Sequence, residues 1–205
     1  MSLGFLDRFR QRTAPAVPLV HEGPSQVRAY WEALRYGGAL PARSAIDPRG
    51  LGGVLDRVFL AERIGKGLAQ VRIAGSALTD LAGTELRGLP LSCLFTPESR
   101  PLLALALEEA FTGPAIIEID LGSDRGSAGL AIARLILLPL QDEGDCRQLL
   151  GAFGMAKGTR SCKLQVLGRR SVRVAQPPLN CTPLPVAEDK PAVRPNHLRL
   201  VHFEG

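Results

Sequence analysis

Residues 128–138, AGLAIARLILL, are apolar on both sides of an extended chain. Leu130, Ile132, Ile136 and Leu138 would face one way, and Ala131, Ala133, Leu135 and Leu137 the other. An antiparallel strand with one wet face alternates apolar with polar residues. This one does not, so the sheet it belongs to must be covered on both faces. Helices are expected on one side. A helix at residues 27–34 or a second subunit must cover the other.

The rest of the chain supplies those parts in order. Ser25 follows Pro24 and is expected to cap a helix in which Val27, Tyr30, Trp31 and Leu34 make one apolar stripe. Gly37-Gly38 ends it, and Pro41 and Pro48 hold an irregular connection through Arg43 and Asp47. Residues 54–64 and 69–74 read as a hairpin around Gly65-Lys66-Gly67, with Ala69, Val71 and Ile73 sharing a face. Short helices broken by Gly83 and Gly88 follow. Thr96-Pro97-Glu98 then starts a longer helix carrying Leu103, Leu107, Ala110 and Phe111 to Gly113-Pro114. Strands at 115–121, 128–138 and 147–155 close the domain, with turns at 122–127 and 139–145.

The 205 residues suit one domain, at 25–174, with extensions at 1–24 and 175–205. Hydrophobic residues make up 45% of the chain, enough for a substantial core, while only 5% are aromatic, too few for a nucleic-acid stacking platform. The N-terminal extension is amphipathic, with Leu3, Phe5, Leu6 and Phe9 set among Asp7, Arg8, Arg10 and Arg12. It has no long apolar core and is not a signal peptide, so a cytoplasmic protein is expected. The C-terminal extension is proline-rich and aperiodic and reads as disordered.

The net charge is +5, and residues 157–173 hold Lys157, Arg160, Lys163, Arg169, Arg170 and Arg173 without an acid. A solvated surface strand explains that run, since no aromatic interleaves the charges. DNA binding through it is the alternative. Cys93, Cys146, Cys162 and Cys181 form no CxxC pair and no zinc spacing with histidine, and read as reduced thiols. No nucleophile elbow, HExxH motif or phosphate loop is present, so no enzyme is expected.

Helix, hairpin, short helices, longer helix and three-stranded meander is the order of elements in a PAS domain. Local matches narrow the resemblance. They are Tyr30-Trp31 with Leu34-Arg35, Pro41-Ala42-Arg43 with Ile46-Asp47-Pro48, and Arg72-Ile73-Ala74-Gly75. Gly83-Thr84-Glu85-Leu86-Arg87-Gly88, Leu138-Pro139-Leu140 and Leu150-Gly151 follow in sequence. Over residues 27–156 the chain resembles a PAS family common in alphaproteobacteria, formerly a domain of unknown function, which includes a protein linked to motility and cell-cycle control.

The resemblance implies an α+β fold: a PAS-like five-stranded antiparallel sheet with helices on one face and an N-terminal capping helix. Trp31 is expected to pack that helix on the sheet, and Arg43 to pair with Asp47. Gly75, Gly83 and Gly88 are expected at left-handed or close-packed positions, and Glu85 on the surface. Arg72 and Arg134 each interrupt an apolar strand; they lie at an exposed edge or face an anionic ligand in a pocket. His21, His197 and His202 all fall outside the PAS-like core, which argues against a histidine-ligated haem there.

No cofactor is firmly implied, though an unidentified small molecule could occupy the PAS pocket. The function expected is a stand-alone sensory or regulatory domain acting through protein contacts, as a homodimer with a regulatory protein partner. A ligand-free dimeric scaffold is the alternative. Contact of the N-terminal segment with a membrane surface is a further reading, and nucleic acid is not expected.

Overall fold

A computed structural model describes residues 22–125, 131–142, 145–155 and 161–174. Of the extensions expected at 1–24 and 175–205, residues 1–21 and 175–205 lie outside the described residues. So do Lys157, Arg160 and the three histidines.

Helix α1 (Glu22–Ala33) comes first. It begins three residues before the expected cap, because Pro24 fits the first helical turn, where its missing N–H is not needed. Three 3-10 turns, Arg43–Ala45, Pro48–Leu51 and Leu55–Arg57, lead to β1 (Val58–Gly65) and β2 (Leu68–Ala74). Residues 54–57, expected as the start of a strand, instead form the last of these turns and its N-cap, Val54. Helix α2 (Ser76–Ala82) follows, closed by Gly83 at φ 70°; Gly88 has φ 83°. Pro97–Ser99 is a 3-10 lead into α3 (Arg100–Thr112). Strands β3 (Ala115–Ser123), β4 (Ala133–Asp142), β5 (Asp145–Met155) and β6 (Leu164–Arg173) complete the domain.

The described strands form one antiparallel sheet in the order β2-β1-β5-β4-β3-β6. The expected five strands are therefore six. The basic stretch supplies the sixth, which pairs with β3 from Ala115↔Arg173 to Ser123↔Leu164. Leu164, fully buried, anchors it over the helices, and Thr96 N donates to the Leu164 carbonyl at 3.0 Å.

β4 is also displaced from expectation, running through Pro139 and Leu140 rather than turning there. Its ladder with β3 reaches Leu137, while its ladder with β5 continues to Asp142. Pro139 thus sits where β4 has a neighbour on one side only, a position that tolerates the missing N–H.

Both faces of the sheet are covered. Phe59, Leu78, Leu86, Leu91, Phe95, Leu103, Leu107 and Phe153 pack between the sheet and α2, α3 and the intervening turns. On the other face Val27, Trp31, Leu40 and Leu51 cover Leu60, Ile136, Leu138 and Leu150. The helix alternative for that cover is the one the fold uses, together with the turns at 40–57.

Candidate functional site

The cover over the outer face is built by the residues that the sequence pattern singles out. Trp31 is fully buried, and its Nε1 donates to the Pro139 carbonyl at 2.9 Å. Arg35 lies 5.3 Å above the Trp31 ring and donates to the carbonyls of Gly38 (2.6 Å) and Ala39 (3.3 Å), closing the C-terminal end of α1. The Pro41 carbonyl accepts from Gln141 N at 2.9 Å and ties the connection to the end of β4.

Asp47 does not pair with Arg43. Its carboxylate caps the Pro48–Leu51 turn by accepting from Arg49 N at 2.9 Å, and its backbone exchanges hydrogen bonds with the Tyr30 hydroxyl. An aspartate two residues before a backbone N–H satisfies it locally, without a distant cation. Glu85 does the same at the surface, accepting from Arg87 N at 3.3 Å.

Beside that cover the outer face is open. A groove of about 500 Å³ runs between the 46–57 turns and the β1–β2 edge, lined by Ile46, Leu55, Val58, Leu60, Ile73 and Leu150 among others. Leu55 is 44% exposed and Ile73 52%. A bulge creates it. β1 and β2 pair Leu60↔Ile73 and then Ala61↔Val71, so Arg72 has no opposite number. The extra residue turns Ile73 to the outer face, away from Ala69 and Val71, which stay buried inside. The shared face expected for these three residues is broken there. Gly75 closes the base of the groove: a Cβ on it would collide with the Asp56 carbonyl.

The two strand arginines are separated by β1 and β5, about 14 Å across the sheet at ordinary strand spacing. They are offset along it as well, since the register puts Arg72 level with Leu138 and Pro139 rather than with Arg134. Arg72 is half-exposed on the edge strand and pairs with Glu62 at 2.6 Å. Arg134 lies on the outer face of β4, where it pairs with Asp120 at 2.6 Å and approaches Glu118 at 3.9 Å. Glu118 also binds Arg28 of α1 at 2.8 Å. Neither arginine points into the space between sheet and helices.

Within that space Phe59, Phe95, Leu103, Leu107 and Phe153 are buried. The Phe59 ring lies directly on Gly151, where a Cβ would strike it, and stands 5.7 Å from Phe153. A second cavity, of about 570 Å³, opens at the end of the hairpin between Arg63, Lys66, Thr112 and Arg147. Arg63 is already engaged by Glu108 at 2.6 Å.

The basic stretch is likewise engaged in part: Lys163 Nζ donates to the Cys93 carbonyl at 2.7 Å, and Arg169 pairs with Glu109 at 2.8 Å. Burial pushes the Cys93 thiol above its ordinary range, against the pull of the Lys163 and Arg100 charges. Among the described residues no three His, Cys, Asp or Glu side chains gather as a metal site, and no helix is long and apolar enough to cross a membrane.

The family model for the PAS domain matches residues 19–154. The chain belongs to the PAS domain family. The match covers α1 through β5, so the groove and its cover lie within the PAS domain proper, while β6 is an addition beyond it. Membership places the chain among sensory and regulatory domains. No curated protein matches it.

The groove is the feature sequence reasoning missed. Its signal was weak: a β-bulge has no composition of its own, and Leu55 reads as one more apolar residue entering a strand.

Proposed function

We propose that this PAS domain regulates by binding rather than by catalysis, in the cytoplasm, and that the groove beside β2 is its contact surface for another protein. The observation carrying this is the juxtaposition of half-exposed Leu55 and Ile73 over buried Val58 and Leu60. Contiguous apolar surface of this kind on a folded domain marks an interaction site. A groove of apolar side chains next to a sheet edge suits the apolar face of an amphipathic helix.

The packing of Phe59 on Gly151 favours the ligand-free scaffold over a domain gated by a small molecule, because a ligand would have to displace that ring. A homodimer is one form the contact can take, with the groove receiving a second copy.

The test is photocrosslinking in the native host with p-benzoylphenylalanine in place of Ile73, and in place of Tyr36 as control. Tyr36 is 92% exposed and away from the groove. Discrete protein adducts at position 73 and none at 36 are expected. Equal labelling at both, or none at 73, would remove the groove as the contact surface.

A further inference from the structure

The groove opens next to the point where the described chain begins. Gly23, in the first turn of α1, lies against the Arg57 side chain: a Cβ there would be 3.9 Å from the Arg57 Cδ. Arg57 stands between Asp56 and Val58, and both of these line the groove. Upstream of Glu22 the chain has 21 more residues.

Those residues carry what the groove lacks. Two of the chain's seven phenylalanines, Phe5 and Phe9, fall in the first nine positions, with Leu3 and Leu6 beside them. Phe5 and Phe9 are four apart and Leu6 and Phe9 three apart, the spacing that puts side chains on one helical face. The charged side chain in the groove's lining, Asp56, is already paired with Arg57 at 3.5 Å, so apolar contact rather than charge selects the occupant. Apolar surface therefore meets apolar surface.

Reach is not limiting. Thirteen residues from Phe9 to Glu22 can span about 45 Å when extended, and the groove starts beside Arg57. Tethering favours this occupant over a second copy, because a short linker holds its end at an effective concentration in the millimolar range.

We propose that residues 3–9 of this chain dock in its own groove through Phe5, Leu6 and Phe9, so that a partner's helix binds by displacing them. This rests on the reading of the groove as the contact surface. It makes the N-terminal segment an intramolecular competitor, and the affinity for a partner is set by the difference between the two occupants.

The experiment uses the full chain, purified and diluted to about micromolar so that tethered contact outruns encounter with a second copy. Ile73→p-benzoylphenylalanine is irradiated and the crosslinked peptides are identified by mass spectrometry. A crosslink from position 73 to residues 1–12 of the same chain is expected, with none from the Tyr36 control. Phe5→Asp/Phe9→Asp should lower its yield at least fivefold without moving the melting temperature. Crosslinks only to residues 175–205 or to a second copy would overturn the proposal, as would a yield indifferent to the double substitution. If adducts with another protein form in cells while the intramolecular crosslink is missing, this inference falls and the contact-surface reading stands. Absence of both removes both.

Discussion

The indole Nε1 of Trp31 donates to the Pro139 carbonyl across 2.9 Å in a buried setting. The bond joins α1 to the segment of β4 where proline leaves the ladder one-sided, so a single side chain both fills the outer core and satisfies the strand. Trp31→Ala should cost about 3–5 kcal/mol in urea unfolding, from lost burial plus the cavity left behind. Trp31→Phe keeps most of the volume but orphans the carbonyl, and should cost about 1–3 kcal/mol. Equal losses from the two variants would mean that the ring's burial adds nothing beyond the hydrogen bond, and a Trp31→Phe variant as stable as the parent would mean that the bond adds nothing to packing.

Phe59 and Gly151 form the corresponding pair inside. Gly151→Ala pushes a methyl into the Phe59 ring and should destabilise by about 1–3 kcal/mol, the usual cost of overpacking. Phe59→Leu makes room for that methyl, so the double variant should lose less than the sum of the singles. Additive losses in the four-variant cycle would place the strain elsewhere.

The strand arginines separate by burial. Arg72–Glu62 is exposed on both sides, and Arg72→Ala should change stability by about 0–1 kcal/mol. The Arg134 side chain is 16% exposed between Asp120 and Glu118. Arg134→Ala should cost about 1–3 kcal/mol, because it strips a charged partner from carboxylates already held in place. Chemical denaturation of the two variants side by side decides it; the reverse ranking would contradict this assignment of roles.

Cys93 supplies a pH dependence. Burial raises its thiol pKa above the ordinary 9.0, so the folded state holds the proton more tightly than the unfolded one. The associated stability is intact below pH 9 and is lost as the pH rises through the folded value. The same shift leaves less thiolate, so maleimide should label Cys93 more slowly at pH 8 than a free cysteine. Lys163→Ala removes a charge that lowers the pKa and should slow labelling further. Faster labelling in that variant would mean that Lys163 acts as a shield instead.

What the sequence made legible was whatever repeats locally. The α3 stripe Leu103, Leu107, Ala110 and Phe111 is buried as its spacing requires, and Gly65-Lys66-Gly67 turns the hairpin. The two-sided apolarity of the middle strand correctly demanded cover on both faces. Features that depend on a partner strand were not legible. The bulge at Arg72 appears only in the register with β1. Pro139 looks like a turn until the β3–β4 ladder is seen to stop before reaching it. Glu62 and Asp120, which neutralise the two arginines, arrive from neighbouring strands, 10 and 14 residues away. The sixth strand was obscured by its charge, since Arg169 and Arg170 dominate the composition while Leu164 does the anchoring.

That last strand allows a sharp test, because it lies beyond the part of the chain that matches the PAS family. Leu164 is fully buried, and two hydrogen bonds flank it: Thr96 N to its carbonyl at 3.0 Å, and Val166 N to the Ser99 hydroxyl, also at 3.0 Å. If β6 is integral, Leu164→Ala should destabilise the whole domain in one cooperative transition by about 2–5 kcal/mol. Val172, 45% exposed at the other end of the strand, should tolerate alanine within about 0.5 kcal/mol. A Leu164→Ala variant that keeps full stability would make β6 an appendage laid on a self-sufficient five-stranded domain. The lining of Thr96 and Ser99, both buried and both bonded to this strand, argues for the former.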